Sequence, residues 1–341
     1  HELRAMNARS RHGNHRQSGL GLVEIMVAIV VGLIVLDGVL QIYLSSKQTY
    51  RMQENQSRIQ ENGRFALQFM TRDLRMAGYI GCITIPQITT NVLATGAPAQ
   101  MFNSTAVIQG YDSGAWPITF PAKPANLVTG TSVLVVTAPV SSSVQLSAAM
   151  PAANAAIGIA SNPYNFQTGD LLLISDCQSA ELFQATGVTA TAIAHAATGN
   201  TSAALSRPYE PRALVMKYDV FMYYIGTDAA GNRALYRFQQ STAGTNQLID
   251  NVQNMQINYG VDNSPGKDHA AHQYLNAAGV TAAGRWPDVV SAQVNLLLVS
   301  NDDGLTTQPQ QYSFNGATVT ATDRRLYRPF SATIAFRNRV Q

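Results

Sequence analysis

The feature that most constrains this chain is a nearly unbroken apolar run from Leu20 to Leu36 that carries one charge, Glu24. It follows a polar, arginine-bearing stretch ending at Gly19. Beyond Asp37 the apolar character resumes with Val39, Leu40, Ile42, Tyr43 and Leu44. At about 1.5 Å rise per residue, some 25 residues cover the roughly 30 Å hydrocarbon core of a bilayer. A secretory signal does not fit. Its apolar core spans about 7–15 residues and ends in an A-x-A-like site, whereas here the small residue precedes the run. A carboxylate near the start of a membrane helix costs about 2.5–3.5 kcal/mol on insertion scales, so Glu24 needs a partner. Cleavage after Gly19 would supply one. Leu20 would gain an α-amine, Glu24 would become the fifth residue, and the two charges would pair within one helix or between neighbouring helices.

This arrangement resembles the class III signal of type IV pilins and pseudopilins. That signal has a short basic leader, a small residue before the cut, an apolar residue after it, and Glu at the fifth position. The resemblance implies a prepilin peptidase acting after Gly19 and methylation of the new amine on Leu20. Glu24 would be the contact to other subunits during assembly.

Charge fits the same topology. The formal net charge is +3, and the leader's Arg4, Arg9, Arg11 and Arg16 set against Glu2 account for all of it, leaving the chain from Leu20 near neutral. By the positive-inside rule the leader stays cytoplasmic and everything after the helix faces the periplasm. A nucleic-acid partner is not expected, because the cluster Arg324, Arg325, Arg328, Arg337 and Arg339 is short for phosphate-dominated binding. The only cysteines are Cys82 and Cys177. An oxidising compartment favours pairing them over two separate buried thiols. Closing that loop of about 95 residues would contribute at most about 4–5 kcal/mol in the chain-entropy model.

No proline occurs between Leu20 and Pro86, which predicts one helix from Leu20 to about Ala77, roughly 85 Å long. Ser45 to Gln60 is polar. Phe65, Ala66, Phe69, Met70, Leu74 and Ala77 then form a stripe at three-to-four spacing, with Arg64, Arg72, Asp73 and Arg75 marking much of the other side. Gly78 is placed as a C-cap. A sheet is the expected partner of the stripe, and core packing is the expected role of its aromatics.

Beyond Cys82 the pattern changes to strands. Gly130–Thr137 and Asp170–Ser175 are short apolar runs bounded by turn residues, which predicts buried strands. Ala138–Ala160 between them is predicted as a surface excursion, and Ala185–Leu205 as low in complexity with room for a thin strand. Leu214, Met216, Tyr218, Val220, Met222 and Tyr224 alternate on one face. Thr227–Arg233 reads as a hairpin loop returning through Leu235, Tyr236 and Phe238. Val252, Met255, Ile257 and Tyr259 are expected to continue that sheet. A loop from Asp262 to Pro287 and the longest strand, Val289–Val299, follow.

The stretches Lys47–Arg51, Arg58–Leu67 and Arg72–Cys82 resemble the helix of PilW-type minor pilins of type IV pili. Asp176–Gln184 is similar to the segment holding that family's second cysteine. Leu248–Asp262 is similar as well, in a pattern shared with J-type pseudopilins, and so is Arg324–Arg339. The fold implied is α+β, with a long N-terminal helix packed on an antiparallel sheet head bearing long loop insertions. The division expected is a leader over 1–19, a helix over 20–78 that crosses the membrane over 20–44, and a head over 79–341. The resemblance implies a minor pilin that joins a complex priming pilus assembly. Its partners would be other minor and major pilins, the prepilin peptidase and the inner-membrane assembly machinery. A J-type pseudopilin of a type II secretion system shares this architecture. From another class, a membrane-anchored adhesin head would leave Glu24 without a partner.

For chemistry, Asp262-Asn-Ser-Pro-Gly-Lys-Asp268 with His269 and His272 is the nearest approach to a cation loop. It lacks EF-hand order and a terminal bidentate Glu, and two histidines at i, i+3 find no further Cys or His ligand. A solvated loop is expected, without metal or cofactor. No G-x-S-x-G, H-E-x-x-H, P-loop or dinucleotide fingerprint follows the helix, and His195, His269 and His272 all lie in loop-like contexts. An enzyme is not expected.

Overall fold

The computed structural model describes residues 21–81, 88–90, 107–116, 122–242 and 244–339. The cleavage position Gly19, the methylation position Leu20 and Cys82 lie outside these residues. Two compact units divide the chain, one up to Gln53 and one from Glu54. A single helix, α1 (Leu22–Met76), runs through the boundary. In the first unit every described residue from Gly21 to Tyr50 is exposed, and an 18-residue window of α1 reaches a mean hydropathy of 2.6. So much uncovered apolar surface requires lipid or other helices around it.

In the second unit α1 buries Asn55, Ile59, Gly63, Ala66, Met70 and Leu74, with Ala77 just beyond its end. Spacings of three and four keep these residues on one face. Ile59, Met70 and Leu74 each contribute about 1.5–3 kcal/mol by leaving water. The stripe read from the sequence is corrected here. Phe65 and Phe69 keep 37% and 40% of their surface exposed, because they lie about a quarter turn off this face, which continues upstream through Gly63, Ile59 and Asn55. Gly78 ends the helix as expected, with φ of 67° and its N–H donated to the Thr137 carbonyl at 3.1 Å.

The larger sheet contains β1 (Ile88–Thr90), β2 (Ile108–Tyr111), β3 (Val133–Pro139), β4 (Val144–Gln145), β6 (Leu171–Ser175), β7 (Ala180–Gln184), β10 (Leu214–Thr227), β11 (Arg233–Gln239) and β12 (Gly244–Asp250). Strand β10 is its spine. Its first residues pair with β4 and β6, and its later ones with β3 and β11. Among the described residues only β1 and β7 pair in parallel. At 14 residues β10 is longer than Val289–Val299, the strand expected to be longest. The sequence alternation marks one of its faces, yet Val215, Phe221, Tyr223 and Ile225 on the other are buried too.

A smaller sheet packs beside it, with β13 (Val252–Val261), β14 (Gln273–Leu275), β15 (Val289–Val299) and β18 (Tyr327–Ala335) in the order β14-β13-β15-β18. Val252–Val261 therefore belongs to this second sheet and does not extend the first. The sheets join where Ser132 donates its N–H to the Met255 carbonyl at 2.8 Å. They also close over Gly110, which faces the buried Tyr259 ring. Residues 54–76 of α1 reach both sheets, touching Phe330 on β18 at Gly63 and Tyr223 on β10 through Asp73.

Two further stretches depart from the sequence reading. Ala138–Ala160 is no surface excursion, since Leu146, Met150, Ile157 and Ile159 join Phe166, Phe183 and Tyr209 in a satellite core. A three-stranded sheet of β5 (Ile157–Gly158), β8 (Gly187–Val188) and β9 (Ala192–Ala194) holds it, so the thin strand expected in Ala185–Leu205 is real. Residues 262–287 form no open loop. They contain β14, the helix α2 (Ala277–Ala282) capped by the Asn276 side chain, and the start of a 3-10 turn at Trp286. Finally, β16 (Gln311–Phe314) and β17 (Ala317–Thr320) form a separate hairpin turning at Asn315 and Gly316.

Candidate functional site

In the first unit the one placed sequence candidate is Glu24. It stands exposed in the first turn of α1, where Gly21 accepts the N–H groups of Glu24 and Ile25 at 2.9 and 3.2 Å. A carboxylate in the first turn is favoured by the positive end of the helix dipole. From Leu22 to Leu44 the large apolar residues are exposed all round the helix. That is the surface of a rod surrounded by lipid or by other rods, and it presents no concave site.

In the second unit, polar contacts fix α1 along its length, and the sequence reading missed them. Asn55 Nδ2 donates to Asp302 Oδ2 at 3.2 Å, in the turn Asn301–Gly304. Asp73, assigned to the solvent side, is half-buried. It accepts a hydrogen bond from the Tyr223 hydroxyl and lies 3.3 Å from Arg237 Nη1. Burial, then the Asp73 charge, pushes the Tyr223 hydroxyl well above its ordinary range, so it stays a donor. Asn338 Nδ2 donates to the carbonyl of Ala77 at 3.0 Å, beyond the helix C-terminus. The only sequence signal for Asn55 is that it shares the period of Ile59, Gly63 and Ala66. Nothing in local pattern marks Asp73.

The acidic loop folds around Asp262, which is buried. Its carboxylate accepts the Ser264 hydroxyl at 2.6 Å and the N–H groups of Ser264 and His269 at 2.9 Å each. The Ser264 hydroxyl, then the backbone donors and the Lys267 charge, outweigh burial and hold its pKa down at about 2. His272 stands between carboxylates, 3.6 Å from Asp262 and 3.2 Å from Asp268. Asp262, Asp268 and His272 thus bring three ligand-type atoms within 4.8 Å of one another. Most of the lone pairs of Asp262 are already spent on the loop's own donors. Lys267 and Arg285 both pair with Asp288 beside it. The cluster has the chemistry of a self-neutralised turn.

His195 lies in a loop just after β9, as expected, and is buried there. Its ring nitrogens face the carbonyls of Ala203 at 3.1 Å and Ala155 at 2.8 Å, tying two segments of the satellite core together. Nearby Glu181 is buried, and its carboxylate accepts the hydroxyl and N–H of Ser206 at 2.7 Å each. Burial raises its pKa against those bonds. Cys177 sits in the turn after β6, where Asp176 Oδ1 accepts the N–H groups of Gln178 and Ser179.

Residues 222–338, from the middle of β10 through β18, match the family model described as type IV pilus-assembly protein W. Residues 14–36, which include Gly19, Leu20 and Glu24, match the prokaryotic N-terminal methylation motif. Neither a curated protein nor a solved structure matches the chain. The fold around these segments is α+β, a long apolar N-terminal helix and a largely antiparallel sheet head. The two matches support a type IV pilus-related, pilin-like protein, and the exposed apolar helix is consistent with membrane anchoring.

Proposed function

We propose that this chain is a minor pilin subunit that joins a small complex of minor pilins, primes type IV pilus assembly and takes a place at the pilus tip. The observation that carries this reading is the co-occurrence, in one chain, of an exposed apolar helix opening on a methylation motif and a head matching the PilW family. In this account a prepilin peptidase cuts after Gly19 and Leu20 is methylated. Glu24 then neutralises the amine of an adjacent subunit as the helix enters a bundle. Before assembly the protein is a single-pass inner-membrane protein with a periplasmic head, and afterwards it stands at the cell surface. The role is structural and calls for no catalytic group, cofactor or nucleic acid.

Cys82 and Cys177 are paired in this account. The Ser175 hydroxyl donates to the Ile80 carbonyl, which brings together positions two residues from each cysteine. Non-reducing mass mapping of the protein from cells tests the bridge, and recovery of two free thiols removes it.

The role itself is tested by the mass and N-terminal residue of the mature protein, and by Glu24→Ala. The expected results are an N-methylated Leu20 and an E24A subunit that inserts in the membrane but is lost from sheared pili. A native protein that keeps its first 19 residues in working pili, or an E24A subunit incorporated as well as wild type, refutes the reading.

A further inference from the structure

A cleft of about 640 Å³ opens in the head between the last turns of α1, the segment after β3, and strands β10 and β11. Its polar wall holds Arg72, Asp73, Arg237, Ser141 and Ser142, and its apolar wall includes Met76 and Phe221. Donors exceed acceptors there. Two guanidinium groups face one carboxylate, Asp73, which is already engaged by Tyr223 and Arg237. Among the described residues no carboxylate pairs with Arg72.

Arg237 is held in place yet underused. Its guanidinium lies 4.7 Å over the Phe221 ring. Its Nη contacts to Asp73 and Gln239 are long, at 3.3 and 3.4 Å, and use only one N–H of each Nη. A planar guanidinium with unspent donors is the usual receptor for a planar anion. Ser141 adds a hydroxyl whose oxygen accepts the Lys217 N–H at 2.9 Å, which leaves its proton for a ligand.

We propose that this cleft is a binding site for a carboxylate carried on a short aliphatic stem, with Arg237 and Arg72 gripping the anion and Met76 and Phe221 covering the stem. An acidic side chain of another polypeptide and a free carboxylic acid share this chemistry. The site does not depend on the assembly role proposed above.

The test uses the full chain in detergent, titrated by isothermal calorimetry with N-acetyl-glutamate, N-acetyl-glutamine and inorganic phosphate. The acid is expected to bind, with the amide and phosphate each at least tenfold weaker. Arg72→Gln, at an exposed position, is expected to weaken the acid at least fivefold with an unchanged melting temperature. Arg237→Lys, which keeps the charge but loses the fork, is expected to weaken it too. Equal binding of acid and amide, no binding of the acid, or an unaffected R72Q overturns the site. Once the acid binds, a photo-crosslinker at Ser142 in cells separates the sources. An adduct with another protein supports an acidic side chain, and its absence supports a free acid. No acid binding by a wild-type protein that enters pili would remove the cleft and leave the subunit role standing.

Discussion

Gly110 and Tyr259 couple the two sheets, and replacing either should shift stability by a calculable amount. A Cβ on Gly110 would come within 2.5 Å of Tyr259 Cζ and 2.7 Å of Cε2. Tyr259 is fully buried, and its ring is wedged edge-on against Trp286 at 4.9 Å between centroids, so it cannot swing aside. Overpacking of this kind costs about 1–3 kcal/mol. The strand gains roughly 0.5–1 kcal/mol from losing a flexible glycine. Gly110→Ala should therefore destabilise the head by about 1–2 kcal/mol.

Tyr259→Phe should act in the opposite direction. The hydroxyl is buried with no hydrogen-bond partner among the described residues, and burial pushes its pKa well above the ordinary tyrosine range. An unsatisfied buried polar group costs about 1–3 kcal/mol, so its removal should stabilise by about 1 kcal/mol. Combining the two should not rescue Gly110→Ala, because Cζ remains in the way. Gly110→Ala with Tyr259→Leu should do better than the sum of its singles, with a coupling of about 1 kcal/mol. Urea unfolding of the full chain in detergent, followed by tryptophan fluorescence, measures all of these. A neutral Gly110→Ala, or a Tyr259→Phe that destabilises by more than about 1 kcal/mol, refutes the packing argument.

Three other outcomes are expected. The Asp262 carboxylate has a folded pKa below its unfolded value. Its contribution is thus intact above the ordinary carboxylate range and lost as pH falls toward about 2. Amide exchange at His269 and Ser264 should accelerate only in that acid window, and Ser264→Ala should move the window upward. Glu181 has the opposite sign, since its folded pKa is raised above the unfolded value. Its contribution is complete below the unfolded pKa and declines as pH rises through the folded one. Glu181→Gln should therefore flatten that part of the stability–pH curve and melt no lower than wild type at neutral pH. Gly78→Ala places a Cβ at a φ of 67° and should cost about 1 kcal/mol, with Gly78→Asn costing less. Equal melting temperatures for G78A and wild type would contradict that cap.

Local pattern foretold the features it physically controls. The absence of proline up to Pro86 and the dense apolar run fixed the helix, now observed as Leu22–Met76. Alternation and a Gly-Asn turn fixed the β10–β11 hairpin. Long-range pairing was hidden. Val252–Val261 has the same pattern whether it extends the first sheet or opens a second, and only its partners on β15 decide this. Ala138–Ala160 reads as polar because its few apolar residues are spread among Ala, Ser and Asn, and only their convergence on Phe166 and Phe183 makes a core. The contacts of Asp73 with Tyr223 and Arg237 join residues at least 150 positions apart, which no window on the sequence spans.

The separation of those contacts also sets an order of events. Asn55 meets its acceptor 247 residues later and Ala77 its donor 261 residues later. If the polypeptide emerges N-terminus first, the two ends of the helix's inner face therefore wait for these partners until nearly the whole head has been made. Assembly that depends on such distant closures is slow and leaves greasy surface open to proteases and to sticking. A chain that stalls before its last strands are made would be lost before it folded, so the yield of folded protein is set by how quickly those strands follow the helix.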